Sequence, residues 1–319
     1  MEGDWILETR VEFRSYFWKQ PSLHRYLPLD FKSSNQLTVT STNDIKVSHK
    51  TRCIGSATKG VWQLISGKHV FMPSCQLFDV RRDDCPQLPK VIHAWGDFHL
   101  KRNILSMKKE MIMSSSSSPL EDNDVSFCDD THYFYEDEEV SFLSSALVDK
   151  PVLLNNNTMA VYFGDMSHVK ITEEAMLHHR WKLNILQIAR RLPKPNVVII
   201  GTGNEDLSSG QQNPIEFAKA FSSFLEFIVT EIYKNVSIIV KTTQYATHGS
   251  KGWNYGRSLA YSNIIRSTVA SLVAQDKQVM LWDTHQIGFK ENECQSKGFI
   301  SNHNVLEIEN NLLFQLLCW

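Results

Sequence analysis

The chain has 319 residues, 42% of them hydrophobic, with 33 Lys and Arg against 35 Asp and Glu for a formal net charge of -2. That length and apolar content suffice for one large α/β core with a smaller accessory lobe, and they exclude disorder as the default state. The near-neutral balance provides no basic field for a phosphate backbone, so nucleic acid is excluded as an expected partner.

Residues 1–88 carry Trp5, Trp18 and Trp62 among β-forming stretches ("QLTVTST", "GVWQLI", "HVFM") broken by Pro and Gly. No helical period runs through them, and they read as a strand-rich N-terminal lobe. From residue 90 the rhythm changes. Short apolar runs at 90–95 (KVIHAW), 158–163 (TMAVYF), 196–201 (NVVIIG), 236–243 (VSIIVKTT) and 278–283 (QVMLWD) alternate with amphipathic stretches at 99–112, 173–192, 215–234, 256–275 and 304–317. Each run is β-branched and nearly continuous in hydrophobicity, as a parallel strand covered on both faces requires. Alternation of such strands with helices predicts a doubly wound parallel sheet of about five strands, flavodoxin-like, over 89–319. The Ser-rich, acidic segment 113–150 interrupts it and reads as a surface insertion, a tolerated loop ahead of a lid.

No apolar run approaches the ~20 residues that would span a bilayer, so no membrane segment is expected in this chain. The opening MEGDWILETR has neither the basic start nor the apolar core of a signal peptide, which taken literally implies a cytoplasmic protein. Six cysteines (Cys53, Cys75, Cys85, Cys128, Cys294, Cys318) and Asn-x-Ser/Thr triplets at Asn156 and Asn235 point the other way. None of the cysteines forms a CxxC pair, and a dispersed even set suits disulfides between loops. The favoured expectation is the secretory-pathway lumen or the extracellular space, with a signal or anchor outside this chain.

In an open parallel sheet, ligands lie beyond the carboxyl ends of the strands. That rule selects Gly96-Asp97-Phe98-His99, Gly164-Asp165-Met166-Ser167, Gly201-Thr202-Gly203-Asn204 and Asp283-Thr284-His285. A glycine, an asparagine and an Asp/His element at successive strand ends are the parts of a site in which NH and amide donors hold an oxyanion and an Asp orients a His. Other constellations do not suggest a cofactor. Gly201-x-Gly203 lacks the third glycine of a dinucleotide turn, adjacent His178 and His179 splay by ~100° on a helix, and YEDEEV lacks an EF-hand's alternation. No metal or cofactor is expected.

With these residues in view, the chain resembles the PC-esterase domain of the neurexophilin and PC-esterase (NXPE) family, a branch of the SGNH hydrolases. The resemblance rests on GVWQLISGKHVFMPSCQLF before the first strand, GDFHLKRN where the family has GDS before a basic helix start, VVIIGTGNE with SIIVKTTQ, and VMLWDTHQIGF followed by NHNVLEIENNLLFQLLCW. It spans roughly 53–319. It implies acyl transfer or ester hydrolysis on glycans in the secretory pathway, with a glycan or glycoprotein as ligand. It also implies Asp283 as orienting acid, His303 as base with His285 as the alternative, and Gly96, Asp97, Gly164 and Asn204 around the oxyanion. The departure falls on the nucleophile: Phe98 stands at the serine position, and a phenyl ring can neither attack a carbonyl nor share a proton with His. The expectation is therefore a catalytically impaired domain that keeps its cleft. The alternative is an active O-acyltransferase or esterase using a substitute hydroxyl, for which Ser167 is the nearest choice.

Overall fold

The computed structural model describes residues 60–65, 68–76, 88–115, 151–154, 158–166, 169–172, 180–209, 213–245, 255–288 and 303–318, together with the backbone of four short strands before residue 40. The insertion beyond residue 115, and Ser167, lie outside the described residues.

The chain divides into two units, Met1–Lys50 and Thr51–Trp319. The first contains two antiparallel pairs, β1 (Gly3–Ile6) with β4 (Gln36–Val39) and β2 (Thr9–Phe13) with β3 (Leu27–Phe31). The second opens on the hairpin β5 (Gly60–Ile65) and β6 (Lys68–Pro73). Trp62 of this hairpin donates its indole Nε1 proton to the Ile287 carbonyl at 2.9 Å, and its ring packs against the buried cluster beside the main sheet. The stretch expected as one lobe over 1–88 is thus divided at residue 50, because Trp62 ties the later hairpin to the α/β core.

Six strands form the main sheet: β7 (Val91–Gly96), β8 (Val152–Leu154), β9 (Met159–Asp165), β10 (Val197–Gly201), β11 (Ser237–Lys241) and β12 (Val279–Trp282), in the spatial order β12-β11-β10-β7-β9-β8. All pairs are parallel except the edge pair β8 with β9. The five parallel strands, counted along the chain, stand in the flavodoxin-like order 2-1-3-4-5, whose switch point lies between the first and third strands, here β7 and β10. The short β8 was not expected from the sequence, since three residues are too few to show a period.

The near-continuous apolar runs are explained by cover on both faces. On β10, Val198 and Ile200 enter one core while Ile199 enters the other, as the two-residue period of a strand dictates. One core is closed by α2 (Arg180–Arg191), α4 (Pro214–Phe227) and α5 (Tyr255–Val273), the other by α1 (Phe98–Ser115) and α6 (His303–Leu317). A short α3 (Asn204–Ser209) follows β10. Helix α4 starts cleanly because Asn213 and Glu216 bond reciprocally and Pro214 occupies the first turn. The helix expected over 215–234 changes character at residue 228, where a π segment (Ile228–Ile232) takes over and the Tyr233 amide reaches back to the Ile228 carbonyl at 2.9 Å. Among the described residues no helix is long and apolar enough to cross a membrane. Cys75 and Cys318 are both disulfide-bonded.

Within the sheet, His93 is fully buried and its protonation follows from its partners. Its Nε2 lies 2.9 Å from the Pro193 carbonyl, which only accepts, so Nε2 carries the proton and Nδ1 accepts from the Tyr233 hydroxyl at 2.9 Å. Tyr233 in turn accepts from Trp95 Nε1 at 2.7 Å. Burial holds the imidazole below its ordinary pKa. The unfolded chain therefore binds a proton below about pH 6.5 that the folded chain refuses, and this contribution to stability is lost as pH falls through that value. Compared with His93→Gln, the wild type should lose unfolding free energy more steeply between about pH 7 and 5; parallel curves in chemical denaturation would refute the neutral assignment.

Candidate functional site

The turns after β7 and β10 meet at the switch point. Both Gly96 and Gly201 are required by close approach: a Cβ on Gly96 would lie 2.5 Å from the Gly201 carbonyl oxygen. Gly203 adopts φ +106°, which glycine reaches without strain, and turns the chain into α3. Asp97 sits at this switch point, 1% exposed. Its Oδ1 accepts from the His99 amide at 3.0 Å, in the manner of a helix N-cap for α1. Its Oδ2 accepts from Asn204 Nδ2 at 2.8 Å and from the Asn204 amide at 3.3 Å. Asn204 then accepts at Oδ1 from the Gln244 amide, 2.8 Å. One aspartate and one asparagine therefore tie the ends of β7, β10 and β11 together. Among the described residues, one of the two Asn204 amide protons is committed.

Phe98 begins α1 directly after this knot. Its ring is half-buried, meets the His99 ring edge-on at 5.7 Å and lies 5.9 Å from the Arg102 guanidinium carbon. Gly164 closes the end of β9 against Trp95, and Asp165 beside it pairs with Lys101 at 3.5 Å.

Beyond β12 the alternative base stands apart from the orienting acid. Asp283 does not hold His285. Its carboxylate accepts two bonds from Arg266 of α5, Nε to Oδ2 and Nη2 to Oδ1, both 2.8 Å, and a third from Gln286 Nε2 at 2.8 Å. His285 turns toward α5, where Nε2 lies 3.0 Å from Ser258 Oγ, and its backbone amide donates to Thr242 Oγ1 at 2.9 Å. The reason is local. The strand ends at Trp282, so the side-chain alternation that would point residues 283 and 285 the same way no longer applies. Ser258 Oγ also donates to the Tyr255 carbonyl at 3.0 Å. A hydroxyl has one proton, so this arrangement has Ser258 accepting from a protonated Nε2. His303 is the first residue of α6; its side chain lies outside the described residues.

Beneath the knot lies a charged pair. Lys241, the last residue of β11, is 1% exposed at its side chain and lies 3.7 Å from Glu309 Oε2 of α6, itself 0% exposed. Lys241 Nζ also reaches Gln244 Oε1 at 3.5 Å, and Asn103 Nδ2 of α1 donates to Glu309 Oε2 at 2.8 Å. A continuous polar chain thus runs from Asp97 through Asn204, Gln244, Lys241 and Glu309 to Asn103. Sequence reasoning passed over this pair. The signal was present: Glu309 falls four residues after Val305 and three before Leu312, on the apolar stripe of the last helix, and Lys241 completes the apolar run SIIVK.

Burial dominates the titration of the site. It pushes Asp97 up to about 6 despite its donors and the Lys241 charge. Glu205, half-buried beside it, is pushed up to about 7 by burial and then by the charges of Asp97 and Asp206. His285 is pushed down to about 3, first by burial and then by Arg266 and Lys241. His99 is held well below its ordinary value by burial. Burial therefore favours the neutral form of both the imidazoles and the carboxyl groups here. Among the described residues no group of three or more His, Cys, Asp or Glu side chains is arranged to hold a metal ion.

No family model matches the chain, and no curated protein matches it. Solved structures do. An acetyl esterase mutant with acetate ion is 13% identical, covering 71% of this chain and 97% of that one at a TM-score of 0.45. A carbohydrate esterase family 3 protein from Talaromyces cellulolyticus is 14% identical over 71% and 97%, TM-score 0.44. The salicylyl-acyltransferase of a tetracycline biosynthetic pathway is 12% identical over 73% and 55%, TM-score 0.40. In each case the similarity is one of fold.

Proposed function

We propose that the chain carries a PC-esterase-like domain of the SGNH class, akin to the NXPE family, which has lost its nucleophile and keeps a cleft for a glycan or glycoprotein at the carboxyl edge of the sheet. One observation carries this reading. Phe98 occupies the first position of α1, at the switch point and immediately after Asp97, where a nucleophile would stand under the NH groups of the helix start and beside Asn204. Asp283, held by Arg266 just after β12, is the orienting acid the reading assigns, and His303 at the start of α6 is its base.

The test is turnover of an aryl acetate and of an acetylated oligosaccharide. Wild type should stay at the level of a heat-killed control. Phe98→Ser should rise about 100-fold above it, short of a full site because a 1 Å misplacement alone loses about 100-fold. That gain should vanish in Phe98→Ser with His303→Ala. Wild-type turnover above the control would overturn the loss of chemistry.

A second reading, an active enzyme with a substitute hydroxyl, has one observation in its favour: the Ser258 and His285 pair at 3.0 Å on the same sheet edge. Both side chains are buried, which argues for a lock between β12 and α5. Wild-type turnover abolished by Ser258→Ala, or by Ser167→Ala, would establish it.

A further inference from the structure

We propose that Asn235 is the attachment site of an N-linked glycan whose innermost sugar rests in the shallow cavity beside it. The triplet Asn235-Val236-Ser237 has the required hydroxyl two residues on and no proline between. The structure adds what a triplet alone lacks. Asn235 lies on the turn between the π segment and β11, exposed, at φ 59°, a left-handed conformation that asparagine tolerates better than most residues. Its carboxamide makes no hydrogen bond among the described residues, so substitution at Nδ2 breaks nothing. The turn precedes β11, and so stands at the amino edge of the sheet, away from the cleft at the carboxyl edge. A glycan here leaves that cleft open.

Next to the turn is a cavity of about 370 Å³. Buried Val229, Tyr233 and Val236 form an apolar floor, and exposed Asp276, Lys277 and Gln278 supply a polar rim. A volume at the small end of the ~300–1,000 Å³ range of ligand sites, with an apolar floor and few polar groups, suits one pyranose ring with its acetamido methyl turned inward. The disulfide bonds at Cys75 and Cys318 belong to an oxidised chain, the state of the compartment in which such transfer takes place. In the transfer, Asn235 Nδ2 forms a bond to the anomeric carbon of a lipid-linked diphospho-oligosaccharide. The bond from that carbon to phosphate oxygen breaks, the lipid diphosphate leaves, and the amide gives up one proton; nothing is oxidised or reduced.

The test is to secrete the full chain from eukaryotic cells behind a cleavable signal sequence and to map glycan sites by amidase release in heavy-oxygen water, which marks each occupied Asn as labelled Asp. The label should fall on residue 235. Asn235→Gln and Ser237→Ala should each remove it along with one glycan of gel mobility, whereas Ser237→Thr should retain it. Trimming to the innermost sugar should leave Tm unchanged, and Ser237→Ala, which never acquires that sugar, should melt about 2–4 °C lower. Secreted protein whose Asn235 peptide is recovered only unmodified would overturn the proposal, whatever the state of Asn156. An occupied Asn235 with no Tm difference would overturn the seating of the sugar in the cavity.

Discussion

Lys241→Met is expected to lose about 3–5 kcal/mol of unfolding free energy, seen as a lower denaturant midpoint at unchanged slope. Methionine reproduces the stem of lysine without its charge. Glu309 would then remain in the core with Asn103 Nδ2 as its described donor, and an uncompensated carboxylate at a fully buried position is strongly unfavourable. Among the described residues, the neighbouring Trp282 offers no replacement donor: its ring lies 5.4 Å from Lys241 Nζ and its indole Nε1 is committed to the Glu309 carbonyl at 3.0 Å. Lys241→Met with Glu309→Gln should recover most of the loss, since a neutral pair of similar volume leaves no charge behind. A single-variant loss below about 1 kcal/mol, the size of an exposed pair, would refute the buried ion pair.

Asn204→Ala should cost about 2–4 kcal/mol and raise the Asp97 pKa above its present value of about 6. The alanine deletes the Nδ2 donor to Asp97 Oδ2 and the Oδ1 acceptor of the Gln244 amide, both at buried positions. Each such loss costs about 1–3 kcal/mol, partly offset by local relaxation. The sign of the shift follows from the bonding: Asn204 Nδ2 stabilises the ionised carboxylate, so its removal favours the acid. A carboxylate with a raised folded pKa contributes stability below its unfolded value that is lost as pH rises toward the folded one, so the variant should be relatively more stable at pH 5 than at pH 8. Isotope-edited NMR of the Asp97 carboxyl carbon, together with urea melts at both pH values, measures the two effects. An unchanged or lowered Asp97 pKa would show that Asn204 does not hold that carboxylate.

The parallel strands and the helices between them were legible because each is governed by neighbours in sequence. Val198, Ile199 and Ile200 announce a strand covered on both faces whatever lies against them, and the stripe of Val305, Leu312 and Leu316 announces a helix. The strand-end rule then located Asp97, Phe98 and Asn204, since the carboxyl ends of parallel strands share one edge of the sheet. Partner choice was not legible. Asp283 was assigned to orient His303, with His285 as the alternative, yet its carboxylate is held by Arg266, which no local pattern marks as a partner. The strand stops at Trp282, and the rotation of α5 against β12 decides which side chain arrives.

By itself, then, the sequence determined the class of sheet, the edge on which the strand-end turns gather and the absence of a hydroxyl at residue 98. The antiparallel β8 edge and the affiliation of the β5 and β6 hairpin with the core came from tertiary structure alone, as did the buried Lys241 and Glu309 pair and the division of Asp283 and His285 between Arg266 and Ser258. The difference is physical. Periodicity reflects burial averaged over a face, whereas a hydrogen bond or ion pair requires two particular atoms within about 3–4 Å, a distance that depends on how whole elements pack.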